Sequence, residues 1–178
     1  GMPNLSALPM EMMGTLVEKL VKENGQEALQ YGSGQGHPKL REQILDVMAL
    51  EGIRANADDV VVTTGSQQAL DLISRIFIDP GDVVLAEAPS YVGALGTFQQ
   101  YQAQVVHIAL DDHGLIPEAL REAIRTVRFS GRKIKFLYLI PNYQNPSGVL
   151  LSADRRTEIL EICRNEKIFI VEDNPYGL

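Results

Sequence analysis

Residues that could do chemistry are concentrated in four short segments of the sequence. The first, residues 64–69, contains Gly65, Ser66 and Gln67 just before an amphipathic stretch. Free backbone N–H groups at the start of a helix bind phosphate, and a glycine there allows the anion to come close. This segment predicts a phosphate site, with a simple helix N-cap at Ser66 as the equally open alternative.

The second and third segments offer an aromatic ring and neutral amides. In residues 87–91 a proline turn precedes Tyr91, which could stack on a planar ligand or merely cover the end of the core. In residues 141–148, Asn145 precedes a proline, so its backbone is restricted to an extended conformation and its amide can point at a ligand. An ordinary turn closed by an asparagine side chain is the alternative for this segment.

The fourth segment, residues 172–176, contains Asp173 after an apolar run and Tyr176 three residues later. A carboxylate that ends an apolar strand is costly unless a cation or a hydrogen-bond donor meets it. We therefore expect Asp173 to have such a partner, with a helix-capping or surface role as the alternative.

These segments require an α/β framework, because short β-branched runs alternate with amphipathic helical stretches. The alternation predicts a three-layer α/β/α domain with a mostly parallel sheet, whose strands are covered on both faces. Ligands of such sheets bind beyond the carboxyl ends of the strands, where the four segments fall. The predicted strands are residues 60–63, 83–86, 104–109, 135–140 and 168–172; the predicted helices are residues 10–23, 38–50, 66–78, 91–101, a helix from Pro117, and residues 153–165.

Helical spacing also predicts which side chains each helix buries. The expected apolar faces consist of Leu16 and Leu20 in the first helix, of Leu70, Ile73 and Phe77 in the third, of Leu120, Ile124 and Val127 in the helix from Pro117, and of Ile159, Leu160 and Cys163 in the last.

Composition and charge narrow the classes of function. The chain of 178 residues is 45% hydrophobic and 22% charged, which is typical of a globular protein. Its net charge of -7 disfavours nucleic acid and anionic membranes as partners, and no apolar run is long enough for a membrane helix. The single cysteine, Cys163, favours a cytoplasmic location. The scattered histidines predict no metal site, and Arg121, Arg125 and Arg128, interleaved with glutamates, predict a solvated, ion-paired face.

Five stretches, in order along this scaffold, resemble the large domain of the fold type I pyridoxal-phosphate-dependent aminotransferases of class I/II, in particular the aminoadipate and kynurenine aminotransferase-like branch. The resemblance implies an N-terminal arm and helix in residues 1–30 and a partial large, pyridoxal-phosphate-binding domain in residues 31–178. The C-terminal small domain is expected to be absent from the chain. The matching stretches are Tyr31-Gly32 with Gly36 and Leu40-Arg41, then residues 64–70, 89–91, 141–148 and 173–176.

The resemblance implies which residues hold the cofactor phosphate. Gly65, Ser66 and Gln67 would bind it at the start of their helix. Tyr31 would reach the phosphate of a neighbouring subunit, so the resemblance also implies a homodimer.

The resemblance implies four further contacts around the cofactor ring. Tyr91 would stack on the pyridine ring, and Asn145 and Tyr176 would hydrogen-bond its 3'-oxygen. Asp173 would pair with the pyridinium nitrogen, since a nearby carboxylate favours the protonated form. The protonated ring is then an electron sink for the carbanion that forms when the substrate loses its α-proton.

The activity that the resemblance implies is amino-group transfer between an amino acid and a 2-oxo acid, in a cytoplasmic biosynthetic enzyme. Family members carry the Schiff-base lysine further along the chain, at a place beyond Leu178. The chain is therefore expected to contain no catalytic residue and to be inactive by itself. Two alternatives stay open: an aminotransferase-like sensor domain of a winged-helix transcription regulator, and a pyridoxal-phosphate-dependent lyase or synthase of the same fold.

Overall fold

A computed structural model describes residues 4–177 and divides the chain into two compact units, Gly1–Val62 and Thr63–Leu178. Residues 1–3 of the predicted arm, and Leu178, lie outside the described residues. The first unit is helical: its elements are the 3-10 helix Leu5–Ala7, α1 (Met10–Ala28), α2 (Pro38–Leu50) and the 3-10 helix Ala57–Asp59.

Helix α1 is longer than the sequence predicts. The predicted stop at Asn24 is a kink, where the backbone leaves helical angles (φ -137°, ψ 28°) before the helix continues to Ala28. The expected inner face is also not buried, because Leu16 and Leu20 are about half exposed. Two helices without a sheet give this unit little apolar surface against which such a face could pack.

The second unit alternates strands with helices, as the sequence predicts. The helix from residue 66, the helix from Pro117 and the helix from residue 153 begin at the predicted residues, and the other boundaries in this unit agree to within a few residues. The elements are α3 (Ser66–Phe77), β1 (Val83–Ala88), α4 (Val92–Gln100), β2 (Gln104–Asp111), β3 (Gly114–Leu115), α5 (Pro117–Phe129), β4 (Ile134–Leu139), α6 (Ala153–Glu166) and β5 (Phe169–Glu172).

The sheet has five strands in the order β3-β2-β1-β4-β5, and every pairing is parallel except that of β2 with β3. Helices α5 and α6 cover one face through an apolar cluster around Leu120 and Ile159. Helices α3 and α4 cover the other face through a cluster around Leu70, Phe98 and Tyr138, which we name the tyrosine cluster. The predicted three-layer α/β/α architecture is therefore confirmed for this unit.

Two expectations about the strands are wrong. Residues 60–63 form no strand, because their N–H groups donate to turns and not to a neighbouring strand: the N–H of Val60 donates to Ala57 O at 3.2 Å, and that of Val62 to Gln35 O at 2.9 Å. A strand needs a neighbouring ladder, which this segment lacks within the described residues. Burial on both faces holds for the central strands β1 and β4, whereas β2 and β5 are nearer the edges and partly exposed.

The buried faces of α5 and α6 are close to the prediction. Leu120, Ile124 and Val127 of α5 are buried as expected. In α6, Ile159 and Cys163 are buried, but Leu160 is 58% exposed and Ile162 takes its place. Positions 159, 162 and 163 form one helical stripe, and position 160 lies outside it.

Helix α3 departs further from its predicted face. Leu70 is buried and Ile73 packs on the tyrosine cluster, but Phe77 is 41% exposed at the end of the helix. Ser74 is fully buried instead, and its hydroxyl donates to Leu70 O at 2.7 Å. A serine can occupy this buried position because the helix backbone satisfies its hydroxyl.

Candidate active site

The start of α3 and the carboxyl end of β5 lie at the same end of the sheet. The ring of Phe77, at the end of α3, is 5.9 Å from that of Phe169, at the beginning of β5. Earlier in α3, Leu70 packs in the tyrosine cluster with Ala86 and Tyr138, from the carboxyl-terminal halves of β1 and β4. Helix α3 therefore runs opposite to the strands, with its first turn directed toward their carboxyl ends.

Asp173 has the partner that its position demands. The hydroxyl of Tyr138, on the neighbouring strand β4, donates to Asp173 Oδ2 at 2.6 Å, and the Asp173 N–H donates to Leu139 O at 2.9 Å. Burial, followed by the Asp173 carboxylate, raises the pKa of Tyr138, so the phenol stays protonated and remains a donor. Asp173 is itself half-buried, and a ligand can approach the carboxylate from its open side.

The first turn of α3 is open for an anion. Gly65 is the N-cap, at φ 77° and ψ 163°, and a Cβ there would meet nothing within 4 Å. Ser66 is therefore not the N-cap, and within residues 4–177 its hydroxyl makes no hydrogen bond. The Gln67 side chain donates to Thr97 Oγ1 at 2.5 Å, which leaves its backbone N–H as the group that faces a ligand at the helix start.

Tyr91 lies in the segment that runs from the end of β1 to the start of α4, residues 87–91, which we name the Tyr91 loop. It is the N-cap of α4, is half-buried, and packs on the edge of the tyrosine cluster. The phenol lies over Gly93, where a Cβ would come within 2.5 Å of Tyr91 Cζ. A glycine at position 93 thus makes room for this ring.

Asn145 lies in the loop after β4, residues 141–148, which we name the Asn145 loop. Its side chain is half-buried and makes no hydrogen bond in the part of the chain that the structure describes. The loop is instead organised around its neighbour Gln144, whose Oε1 accepts from Ser147 N at 3.0 Å and from Ser147 Oγ at 2.7 Å. The asparagine turn considered as an alternative is not what closes this loop.

A second chain of hydrogen bonds joins the Asn145 loop to the segment after β5. Arg156 Nη2 donates to Asn142 Oδ1 at 2.7 Å, and Asn142 Nδ2 donates to Asn174 Oδ1 at 2.7 Å. Tyr176, two residues later, is 43% exposed. Loops from two neighbouring strands are therefore tied together where the predicted ligand contacts Asn145 and Tyr176 lie.

Of the predicted cofactor contacts, Tyr31 lies outside the second unit, and the described lysines of the second unit lie away from the other contacts. Tyr31 belongs to the first unit and is 99% exposed. Lys133, Lys135 and Lys167 precede or begin β4 and β5, so in the second unit the described lysines lie at the amino ends of the strands, opposite the predicted site.

Sequence reasoning missed Glu87, Gln144 and Tyr138. Glu87 ends an apolar strand as Asp173 does, so the same argument about an unpaired carboxylate applies to it. Gln144 and Tyr138 carry no comparable signal, because the hydrogen bonds that tie them to Glu87 and Asp173 join residues 57 and 35 positions apart.

Within residues 4–177, no group of three or more His, Cys, Asp or Glu side chains is arranged to hold a metal ion. Nor does any helix there have the length and hydropathy needed to cross a membrane.

Three features occur together in this α/β domain: the open first turn of α3, the ring of Tyr91, and Asp173 bonded to Tyr138. They indicate the class of protein to which the chain belongs. Residues 7–178 match the family model of aminotransferase class I and II, and the chain belongs to this family. Members of the family use pyridoxal phosphate as their cofactor.

Two aminotransferases among the relatives are similar to almost the whole of this chain. Aromatic-amino-acid aminotransferase 1 of Thermococcus litoralis is 40% identical over 178 residues, covering 99% of this chain and 43% of that protein. The crystal structure of Pyrococcus horikoshii kynurenine aminotransferase, in complex with PMP, superimposes with a TM-score of 0.92 at 39% identity and covers 99% of this chain and 44% of that one. This chain thus spans less than half the length of these relatives.

A relative of another kind is less similar. An uncharacterized HTH-type transcriptional regulator of Bacillus subtilis, YdfD, is 33% identical over 170 residues, covering 96% of this chain and 33% of that protein. Its identity to this chain is below that of the Thermococcus litoralis aminotransferase.

Proposed function

We propose that this chain is the cofactor-binding part of a pyridoxal-phosphate-dependent aminotransferase, which transfers an amino group between an amino acid and a 2-oxo acid. The observation that carries the proposal is the tether between Tyr138 and Asp173, at the sheet end toward which α3 directs its first turn. Family membership of residues 7–178 supports the reaction class.

The residues present fit the cofactor. A phosphate needs hydrogen-bond donors and space. The first turn of α3 offers free backbone N–H groups, the Ser66 hydroxyl, which has no partner among the described residues, and space at Gly65, which carries no side chain. A pyridine nitrogen needs an acid partner, and Asp173 has one oxygen bonded to Tyr138 and a second without a hydrogen bond inside the described residues. The Asn145 amide, which has no hydrogen-bond partner in the described part of the chain, adds a donor for an anionic oxygen.

Each residue then has a distinct task. Gly65, Ser66 and Gln67 bind the phosphate, and Tyr91 packs against the ring. The Asp173 carboxylate holds a proton on the pyridine nitrogen, and the Tyr138 hydroxyl keeps that carboxylate in place.

Two further residues hold the ring through its 3'-oxygen. Asn145 and Tyr176 donate to the 3'-oxygen. When bound, pyridoxal phosphate withdraws electrons from the α-carbon of an attached amino acid, which lowers the barrier to removal of its α-proton.

The cellular location, metabolic role and oligomeric state of the protein are proposed from the same family resemblance. We propose a cytoplasmic, biosynthetic enzyme that acts as a homodimer in which Tyr31 reaches the phosphate of the neighbouring subunit. The full exposure of Tyr31 and the single, buried, unpaired Cys163 are consistent with these assignments. No observation favours the regulator, lyase or synthase alternatives over the aminotransferase.

Binding of pyridoxamine 5'-phosphate by the 178-residue chain tests the proposal without the need for a lysine adduct. In calorimetric titrations we expect pyridoxamine 5'-phosphate to bind at least about tenfold more tightly than pyridoxamine, because only the former carries the phosphate. Asp173→Asn should weaken binding by about tenfold or more, since it removes the charge opposite the ring nitrogen.

The matched control is Glu172→Gln, which neutralises an exposed carboxylate on the adjacent residue and should leave the affinity unchanged. Equal affinity for the two ligands, or full affinity in Asp173→Asn, would contradict the assigned site.

A further inference from the structure

We propose that Glu87 and Gln144 form a clamp that fixes the Asn145 loop against the Tyr91 loop, and that both are positioning residues for the cofactor site. The ligand in this inference rests on the proposed function. The clamp itself rests on the contacts and burial of the two side chains.

The clamp joins three parts of the carboxyl end of the sheet. Glu87 Oε2 accepts from the N–H of Ile140, at the end of β4, at 2.9 Å and from Gln144 Nε2 at 3.3 Å. Gln144 Nε2 also donates to Pro89 O, in the Tyr91 loop, at 2.8 Å. The Glu87 carboxylate and the Gln144 amide together therefore connect the end of β4, the Tyr91 loop and the Asn145 loop.

Gln144 also organises its own loop from within. Its N–H donates to Val149 O at 2.9 Å, and its carbonyl accepts from the N–H of Gly148 at 2.5 Å. Its side-chain oxygen accepts two bonds from Ser147. Asn145, the next residue, makes no hydrogen bond of its own among residues 4–177, so the bonds of Gln144 determine where it is held.

Both members of the clamp are buried, at 1% exposure for Glu87 and 3% for Gln144. Burial raises the pKa of Glu87 to about 7, and the donors Ile140 and Gln144 counter this only in part. A buried carboxyl that has only two neutral hydrogen-bond donors destabilises the folded state relative to an apolar residue at the same position. Stability alone therefore does not explain the presence of Glu87.

The ionisable groups around Glu87 come from three elements and its own loop. Tyr138 of β4 and Asp173 after β5 form the tether already described, Tyr91 belongs to the same loop, and Arg156 of α6 donates to Pro141 O, next to Ile140, at 3.1 Å. Tyr138 stays protonated at neutral pH because its pKa is raised. Glu87 is the member of this set whose pKa the site brings close to neutrality.

Ionisation of Glu87 therefore opposes the clamp. An open loop would hydrate the carboxylate and return its pKa toward the ordinary 4.5, so the open form binds fewer protons than the clamped form. With a pKa of about 7 in the clamped form, raising the pH from about 6 to about 8 increases the open-to-clamped ratio about tenfold.

Two clamp variants and two controls test the inference. Gln144→Met keeps the shape of the side chain but removes its hydrogen bonds, and Glu87→Gln keeps an acceptor oxygen but cannot ionise. The controls are Gln100→Met and Glu161→Gln, at exposed positions of α4 and α6. We would measure hydrogen exchange of the Ser147 and Gly148 amides by NMR, corrected for intrinsic rates, and the dissociation constant of pyridoxamine 5'-phosphate at pH 6 and pH 8.

In Gln144→Met, the Ser147 and Gly148 amides should exchange about tenfold faster, and ligand binding should weaken about tenfold, while amides of the central strands stay protected. In the wild-type chain, protection of these two amides should fall about tenfold between pH 6 and pH 8. Glu87→Gln should abolish that pH dependence, and both controls should keep it.

Unchanged exchange and affinity in Gln144→Met would overturn the clamp, as would a wild-type pH dependence that persists in Glu87→Gln. If the wild-type chain fails to bind pyridoxamine 5'-phosphate but its amides respond as expected, the proposed function fails and the clamp stands. If Gln144→Met does not fold, the pH comparison between the wild-type chain and Glu87→Gln decides.

Discussion

Two carboxylates at the carboxyl ends of strands β1 and β5 of one sheet have different properties because their surroundings differ. Asp173 is half-buried, and its oxygen accepts a bond from Tyr138 at 2.6 Å. Glu87 is almost completely buried and is met by an amide and a backbone N–H. At the scale of the residue, Asp173 is suited to hold a ligand's proton, whereas Glu87 is suited to respond to pH.

The free energy of unfolding of the chain should depend on pH because Glu87 titrates. Its pKa is about 7 in the folded chain against 4.5 as the ordinary value, so the folded state binds more protons between these values. Stability should therefore fall as the pH rises from about 4.5 through 7, by about 3 kcal/mol in total for this group.

Urea unfolding of the wild-type chain and of Glu87→Gln from pH 5 to pH 8 measures this effect. The difference between the two curves isolates Glu87 from other titrating groups. We expect Glu87→Gln to gain stability relative to the wild-type chain as the pH rises; parallel curves would show that Glu87 does not titrate in this range.

At the scale of the element, helix α4 does more than cover the sheet. Its N-cap is Tyr91, and its first turn contains Gly93, which gives room to the phenol. Gly96, one turn later, has nothing within 4 Å of an added Cβ. The two glycines therefore differ in function although they share a helix.

Alanine at these two positions should separate ligand binding from helix stability. Gly96→Ala should stabilise the chain by about 0.5–1 kcal/mol and leave binding of pyridoxamine 5'-phosphate unchanged. Gly93→Ala gains the same helix propensity but displaces the Tyr91 ring, so its affinity should fall several-fold. Thermal unfolding and calorimetric titration of both variants check this, and equal affinities would mean that the ring position does not matter to the ligand.

At the scale of the whole molecule, the arginines of α5 form ion pairs on a solvent-exposed surface. Arg121 bridges to Glu158 at 2.8 Å, and Arg128 to Glu166 at 2.7 Å, across α5 and α6, and Arg125 pairs with Glu122 at 2.5 Å within α5. The predicted ion-paired face of these arginines is confirmed. Exposed pairs of this kind contribute little to stability, so they serve mainly to keep this basic face neutralised.

Assembly should affect ligand binding if Tyr31 acts on a neighbouring subunit. Tyr31→Phe removes the hydroxyl that would bond to the partner's phosphate group, and it should lower the affinity for pyridoxamine 5'-phosphate about tenfold where dimers form. Sedimentation velocity combined with titrations over a range of chain concentrations tests this. A monomeric chain with concentration-independent affinity, or wild-type affinity in Tyr31→Phe, would rule out the shared site.

Periodicity and local chemistry in the sequence were sufficient to predict many of the helices, strands and site residues of this protein. The helix from Pro117 and the buried face Leu120, Ile124 and Val127 follow from helical spacing, because a helix presents one stripe to its sheet. The need of Asp173 for a donor follows from the cost of an unpaired carboxylate at the end of an apolar strand. Three of the four candidate segments follow strands that the sequence predicts correctly, whereas the first follows residues 60–63, which form no strand and lead directly into α3.

The tertiary structure decided which partners those segments meet. Tyr138 and Asp173 are 35 residues apart, and Gln144 and Glu87 are 57 apart, so their hydrogen bonds depend on strand order and register rather than on any local pattern. The failed strand at residues 60–63 has the same cause. An extended apolar run becomes a strand only when another strand lies beside it, and only the fold determines whether one does.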